Sequence, residues 1–206
     1  MYTLYSMQRS GNSYKVRLAL ARLGIPFKLV DVDILQGASR TPEFLARNPN
    51  GRIPTLQLDD GTFLAESGAI LWYLAEGTPF LPSERLARAQ VLQWMFFEQY
   101  SHEPYIATTR FIIRHLPEDS PRRAEIPDRM KRGYDALAVM EKHLATRRFF
   151  VGERYTIADI ALYAYTHVAD QGRFDLSGYP NVLTWLGRVK DQPKYVPITY
   201  RQPAGG

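Results

Sequence analysis

The chain has 206 residues, of which 45% are hydrophobic and 23% charged, and its formal net charge is +5. It contains no cysteine, which excludes disulfides, cysteine-based zinc sites and protein thiol nucleophiles, so any thiol chemistry must use a thiol that a ligand brings. No apolar run approaches the roughly 20 residues of a membrane span, the first residues lack the pattern of a signal peptide, and no nucleic-acid motif accompanies the basic excess, so we expect a cytoplasmic protein without membrane or nucleic-acid partners.

The first third of the chain begins with a strand–helix–strand pattern. Thr3–Tyr5 favours a strand, and Asn12 and Ser13 offer side chains that cap the helix which follows. Gly24 ends that helix, and Phe27–Val32 alternates like a second strand. Two strands joined by one helix favour parallel pairing with a right-handed crossover.

The remainder of this region predicts a short helix, a hairpin and a third helix. The short helix covers Thr41–Arg47 and is followed by a turn at Asn48–Gly51. The segment 55–64 predicts an antiparallel hairpin with a glycine-containing loop, and the third helix opens at Glu66 and Ser67. The order of elements predicts an α/β, thioredoxin-like N-terminal domain over residues 1–78.

Strand signals are absent after a linker at residues 79–86, which predicts an all-α C-terminal domain over residues 87–206. Its first helix covers Leu86–Leu116 and bends near Pro104. Apolar periodicity marks three further helices, at residues 130–144, 157–168 and 182–189. Prolines from Pro193 onward predict a tail that does not continue the last helix.

Four segments together resemble the soluble glutathione S-transferase family over nearly the whole chain. They are Ser10–Val16, Asn48–Leu56, Leu64–Ile70 and Phe150–Ile160. Each motif alone is weak, but their order and spacing are specific. The resemblance implies the thioredoxin-like plus all-helical architecture of that family, and a bacterial, serine-type member. It also implies a cytoplasmic homodimeric detoxification enzyme that uses glutathione as co-substrate and needs no metal or further cofactor.

Two short motifs account for the implied glutathione site. A proline at the head of the third strand leaves a strand edge open to an extended peptide, and the resemblance implies a cis Ile53–Pro54 bond with Ile53 bonding glutathione's cysteinyl backbone. Ser67 begins a helix, where N–H groups and the dipole favour an anion. The resemblance assigns glutathione's γ-glutamyl carboxylate to Ser67 and its ammonium to Glu66. Arg40 and Arg52 are implied contacts for the glycine carboxylate.

Several hydroxyl or amide groups could hold the sulfur. In the serine-type classes (theta, zeta and tau-like) the active serine lies three residues before a serine or cysteine and six before a valine. Ser10 fits that spacing, because Ser13 and Val16 follow it. The active position of the cysteine-type classes aligns with Asn12, which becomes the second catalytic candidate. Tyr5 and Ser13 stay open as alternatives.

The helical part carries one structural motif and one predicted pocket. Thr156 and Asp159 match a helix capping box, which predicts a folding element. Aromatic residues crowd the helix around residues 94–100, which predicts more than one buried face and fits a dimer interface. The predicted electrophile pocket has weakly polar aromatic walls. Its residues are Tyr105, Thr109, Phe111 and Tyr163.

Three activities are compatible with these motifs. The first is transfer of glutathione's sulfur to small hydrophobic electrophiles. The second is glutathione-dependent disulfide or peroxide reduction at the same site, because two glutathione molecules can supply both thiols. The third is a non-catalytic regulatory protein of the same fold. The intact Ile53–Pro54 and Glu66–Ser67 motifs favour glutathione binding over this third possibility.

Overall fold

A computed structural model describes residues 1–201, and the first 76 of these build a four-stranded sheet with three helices. The elements of this first unit are β1 (Tyr2–Ser6), α1 (Gly11–Leu23), β2 (Phe27–Asp31), α2 (Pro42–Arg47), β3 (Thr55–Gln57), β4 (Phe63–Ala65) and α3 (Ser67–Ala75). Two short 3₁₀ turns, Ile34–Gln36 and Ala38–Arg40, occupy the segment between β2 and α2. The predicted thioredoxin-like order of elements is confirmed.

The sheet has the strand order β2–β1–β3–β4. β1 pairs in parallel with β2, as the strand–helix–strand pattern predicts, and β3 pairs antiparallel with both β1 and β4. The pairing of β3 with β1 begins at Thr55, which lies opposite Tyr5. Ile53 and Pro54 therefore precede the paired part of β3, close to the end of β1 where α1 begins.

Alternation along β1 separates two groups of side chains. Leu4 is fully buried and pairs with Leu56, which is equally buried. Tyr5 points to the other face of the sheet, because neighbouring strand residues face opposite ways. There it belongs to a cluster with Phe44 of α2 and Ile53.

The second unit, residues 77–192, is helical. Its helices are α4 (Arg85–Phe97), α5 (Glu103–His115), α6 (Ile126–Leu144), α7 (Ile157–Thr166) and α8 (Pro180–Lys190). A π-helical turn, Glu98–His102, joins α4 to α5 directly before Pro104. A proline removes one helical N–H and its ring crowds the carbonyl four residues earlier, so the wider turn is where this long helix adapts to Pro104.

The capping box predicted in the second unit is confirmed. The Thr156 side chain accepts from the Ala158 N–H, and the Asp159 carboxylate accepts from the Thr156 N–H at 2.9 Å. Asp159 also accepts from the Trp185 indole N–H at 2.9 Å and the Phe150 N–H at 3.2 Å. This buried carboxylate thus connects α7 with α8 and with the segment that precedes α7.

The described part of the C-terminal tail, residues 193–201, lies with the first unit and not with the helical domain to which the sequence assigned it. Side chains from α1 and the loop before it hold its backbone carbonyls. The Tyr14 hydroxyl donates to Val196 O at 2.7 Å, and the Gln8 amide donates to Ile198 O and Tyr200 O at 2.8 Å each. Residues 193–201 form no helix, as the prolines of the tail predict.

Candidate functional site

The N-terminus of α1 places the first candidate, Ser10. Its extended backbone makes it the N-cap residue, and its Oγ accepts from the Ser13 N–H at 3.2 Å. A serine hydroxyl that accepts one hydrogen bond still carries its own proton as a donor. Ser10 therefore combines two roles, because the cap orients the oxygen and the O–H can point to an acceptor outside the helix.

The second candidate, Asn12, is joined to the start of α3. The Ser67 hydroxyl donates to Asn12 Oδ1 at 3.3 Å, across 55 residues of sequence. Ser67 is buried, and Asn12 is partly buried. This bond brings the amino ends of α1 and α3 next to each other, so that the positive ends of two helix dipoles meet at one place.

The amino end of α3 has the features of an anion-binding site. Its N-cap residue, Glu66, has φ +67° and ψ 117°, and its side chain makes no capping hydrogen bond. The side chain instead accepts from Asn50 Nδ2 at 3.4 Å. A non-glycine residue at positive φ is costly and typically persists where a site requires it. The first N–H groups of α3 are thus left without a side-chain cap, which suits a carboxylate.

The loop before β3 is fixed by asparagine side chains. Buried Asn48 donates through Nδ2 to Arg52 O at 2.7 Å and Thr55 Oγ1 at 3.1 Å, and its Oδ1 accepts from the Asn50 N–H. The Ile53–Pro54 bond that follows is cis, which confirms what the resemblance implied. The buried Ile53 side chain anchors this loop in the cluster with Tyr5 and Phe44.

The two predicted arginines lie differently around this loop. Arg40 Nη1 donates to Asn50 O at 3.0 Å, and Gly51 has φ +60° with Arg40 only 2.6 Å from where a Cβ would stand. Arg40 is therefore tied to the loop that positions Glu66 through Asn50. The Arg52 side chain is exposed, while its carbonyl takes part in the Asn48 network.

The alternative catalytic candidates have structural contacts. Tyr5 packs edge-on against Phe44 with ring centroids 6.2 Å apart, and its hydroxyl lies 3.4 Å from Gln57 Oε1. Ser13 is fully buried and accepts from the Met7 N–H at 3.4 Å. These contacts make Ser10 and Asn12 the better candidates, while the choice of the residue on the sulfur stays a prediction.

The predicted electrophile contacts occupy different environments in the helical unit. Thr109 is fully buried and donates to Tyr105 O at 2.6 Å, and Tyr163 is buried and stacks on His167 at 4.6 Å. Tyr105 and Phe111 are partly buried. Their role as electrophile contacts stays a prediction.

Sequence reasoning missed the parts of the site that depend on contacts distant in the chain. Asn48 and Asn50 were recognised only as turn residues, although Asn50 holds Glu66. One available signal was the position of Asn48 two residues before Asn50. At this spacing an asparagine side chain can bond the backbone N–H of the later residue and fix a turn. The Ser67–Asn12 bond has no local sequence signal.

Residues 1–201 offer neither a metal-binding cluster nor a membrane-spanning helix. Within that range no cluster of three or more His, Asp or Glu side chains is arranged to hold a metal ion. In the same range no helix is both long and apolar enough to cross a bilayer. The donor groups assembled at the site are hydroxyls, amides and helix N–H groups, which together suit a peptide carboxylate and a thiolate.

Comparison with protein-family models gives two matches. Residues 9–76 match the N-terminal domain of glutathione S-transferase, and residues 121–188 match the C-terminal domain of glutathione S-transferase.

Three known proteins illustrate the similarity. A glutathione S-transferase crystal structure from Pseudomonas fluorescens Pf-5 is 58% identical, with TM-score 0.92 over 96% of this chain and 98% of that one. The disulfide-bond oxidoreductase YfcG of Escherichia coli K12 is 34% identical over 190 residues, 88% of this chain and 87% of that protein. A glutathione transferase family member from Pseudomonas fluorescens Pf-5, with two glutathione molecules bound, is 29% identical, with TM-score 0.82 over 94% and 89% of the two chains.

Proposed function

The chain belongs to the glutathione S-transferase family, and we propose that it is a glutathione transferase that ionises the thiol of bound glutathione for attack on small hydrophobic electrophiles. In this proposal Ser67 and the start of α3 hold the γ-glutamyl carboxylate, and Glu66 holds the ammonium. Ile53 bonds the cysteinyl backbone, and Arg40 or Arg52 faces the glycine carboxylate. Tyr105, Thr109, Phe111 and Tyr163 remain the predicted contacts for the electrophile, in a cytoplasmic homodimer.

The observation that carries the proposal is the bond between Ser67 and Asn12. It ties the residue that would anchor one end of glutathione to the helix start that would receive its sulfur. The cis Ile53–Pro54 bond lies at the start of the strand that pairs with β1. An extended tripeptide such as glutathione fits this arrangement, because its γ-glutamyl carboxylate needs an anion site, its cysteinyl backbone needs a strand edge and its sulfur needs a thiolate site.

The energetics require no metal. A free thiol has a pKa of about 8.5, and lowering it by about two units to favour thiolate near neutrality needs roughly 2.7 kcal/mol. One hydrogen bond to a charged acceptor contributes about 1.5–3 kcal/mol, and a helix N-terminus contributes roughly 0.3–1 kcal/mol. The Ser10 hydroxyl and the α1 dipole are therefore sufficient together, with the Asn12 amide as a further donor.

The transfer reaction is a simple displacement or addition. The thiol proton leaves to solvent, and the thiolate sulfur forms a bond to an electrophilic carbon. In a substitution, a halide departs with its bonding electron pair. In an addition, the electron pair of the acceptor's double bond takes up a proton from solvent.

Disulfide reduction is the second candidate function. One glutathione thiolate attacks a disulfide sulfur and displaces the other sulfur as a thiolate, and a second glutathione attacks the mixed disulfide to release oxidised glutathione. Two observations favour this candidate, namely the similarity to the E. coli disulfide-bond oxidoreductase and the two glutathione molecules bound in the Pseudomonas relative. The absence of cysteine is compatible with it, because both electrons come from glutathione.

Three measurements distinguish the functions. We expect the purified protein to bind glutathione in calorimetry and to conjugate it to a chlorodinitrobenzene faster than it reduces hydroxyethyl disulfide. The opposite ratio of kcat/KM values would favour the reductase. Binding without either activity would indicate the regulatory alternative, and no heat of binding at millimolar glutathione would refute the glutathione site.

Replacing Ser67 by alanine tests the anchor. We expect glutathione to bind about ten- to a hundredfold more weakly, because a hydrogen bond to a carboxylate contributes about 1.5–3 kcal/mol and 1.4 kcal/mol corresponds to tenfold. Calorimetric titration measures the change. The exposed Ser83 provides a matched control, since Ser83→Ala should leave the affinity unchanged. Equal affinities of the two variants would remove Ser67 from the site.

A further inference from the structure

The first unit contains a cavity that none of the proposed glutathione contacts lines. It lies between α1, the start of β2 and the tail, and its volume is about 240 Å³. Its walls are largely apolar, with Leu20, Ile25, Phe27, Leu29 and Val196 among them. Tyr14 also lines the cavity and follows Asn12 by only two positions, so its side chain leaves α1 about 200° away from that of Asn12, on the opposite side of the helix.

One side chain of the cavity, Arg17, is charged and almost completely buried, with 6% of its surface exposed. Its Nη2 donates to two neutral acceptors, Gln8 O at 2.5 Å and Ile198 O at 3.3 Å. Its Nε has no hydrogen-bond partner among the described residues. Burial lowers the Arg17 pKa to about 10, with only a partial opposing effect from Tyr14 and Asp31.

This environment leaves a positive charge incompletely compensated. In residues 1–201 no carboxylate lies within 4 Å of the guanidinium. The neutral groups around the guanidinium are the two carbonyls and the Tyr14 ring, whose centroid lies 5.8 Å from Arg17 Cζ. A buried cation surrounded by neutral groups is unfavourable relative to one paired with an anion. The Arg17 side chain lines an apolar cavity, and a guanidinium in such a place is a suitable receptor for a carboxylate attached to an apolar body.

We propose that this cavity binds a small monocarboxylate with an aliphatic or single-ring body. The carboxylate pairs with Arg17, and the apolar body packs against Leu20, Phe27 and Leu29. A dry cavity of about 150 Å³ holds benzene, so the present volume suits a body of roughly six to eight carbon atoms. Such a ligand contacts both α1 and Val196 of the tail, and it stabilises their association by mass action.

The test compares octanoate with octanamide, which has nearly the same shape and no charge. Calorimetry on the full chain should give octanoate an affinity at least tenfold higher than that of octanamide. Arg17→Met should remove this preference. Lys28→Met deletes an exposed positive charge of β2 that does not line the cavity, and it should change neither affinity.

A cavity-filling variant keeps the test decisive if Arg17→Met does not fold. Ala21 lines the cavity, and Ala21→Trp should abolish octanoate binding while glutathione affinity stays unchanged. Equal affinities for octanoate and octanamide would overturn the proposal. Undiminished octanoate binding to Ala21→Trp would also overturn it, since the ligand would then lie on another apolar surface. Failure to bind glutathione would leave these outcomes unaffected.

Discussion

Ser10→Ala is expected to lower kcat/KM for conjugation of glutathione to a chlorodinitrobenzene by about ten- to a hundredfold. The hydroxyl is the donor proposed for the thiolate, and one hydrogen bond to a charged acceptor contributes about 1.5–3 kcal/mol. Because that bond is much stronger to the ionised sulfur than to the neutral thiol, the variant should bind glutathione nearly as well as the wild-type protein at a pH below the pKa of the bound thiol. The pKa of the bound thiol should rise by roughly one to two units, which thiolate absorbance in a pH titration measures directly.

The N-cap role of Ser10 calls for a control, because loss of a capping side chain costs about 1 kcal/mol of stability. Glycine at an N-cap is only a few tenths of a kcal/mol less favourable than serine. Ser10→Gly should therefore retain stability and lose activity, whereas Ser10→Thr should keep both. If Asn12→Ala lowers the rate and raises the thiol pKa while Ser10→Ala does neither, the assignment passes to Asn12.

The local patterns predicted the elements of both units because each depends on neighbours in sequence. Strand alternation at Phe27 and the turn at Asn48 act within a few residues. The cap predicted at Asn12 and Ser13 is wrong by two to three positions, because Ser10 is the N-cap of α1 and the other two residues lie inside the helix. The cis form of the Ile53–Pro54 bond came from the resemblance alone, since most X–Pro bonds are trans.

The contacts of the C-terminal tail could not be predicted from local sequence patterns. Its prolines predicted that it is not helical, but nothing local indicates that Tyr14 and Gln8 hold its carbonyls from about 180 to 190 positions away. Hydrogen bonds of a side chain to a distant backbone leave no periodic signature. The Ser67–Asn12 bond escapes prediction for the same reason, although each residue was recognised separately as a candidate.

Asp159→Ala is expected to produce the largest loss of stability. The substitution leaves the Trp185 indole, the Phe150 N–H and the Thr156 N–H without their acceptor in a fully buried place. Each such group costs about 1–3 kcal/mol, so the free energy of unfolding should fall by at least about 3 kcal/mol. For a chain of this size the midpoint of thermal unfolding should fall by roughly 6–12 °C, which circular dichroism measures.

The loss of unfolding free energy in Asp159→Ala should depend on pH. Burial raises the pKa of Asp159 from 3.8 to about 6 in the folded protein. A group whose folded pKa is raised contributes its full stabilisation below the unfolded pKa and loses it as pH rises through the folded pKa. The difference between wild type and Asp159→Ala should therefore be larger near pH 4 than at pH 7, and a difference that grows with pH would contradict this account.

If Asp159 acts only on the fold, its substitution should lower stability without changing glutathione binding. Asp135 is an exposed carboxylate of α6, and Asp135→Ala should change stability by no more than about 0.5 kcal/mol. At a temperature where Asp159→Ala is still folded, its affinity for glutathione should equal that of wild type, because every proposed glutathione contact belongs to the first unit. A weaker affinity in the folded variant would mean that the capping carboxylate of α7 acts on the glutathione site as well as on the helix it begins.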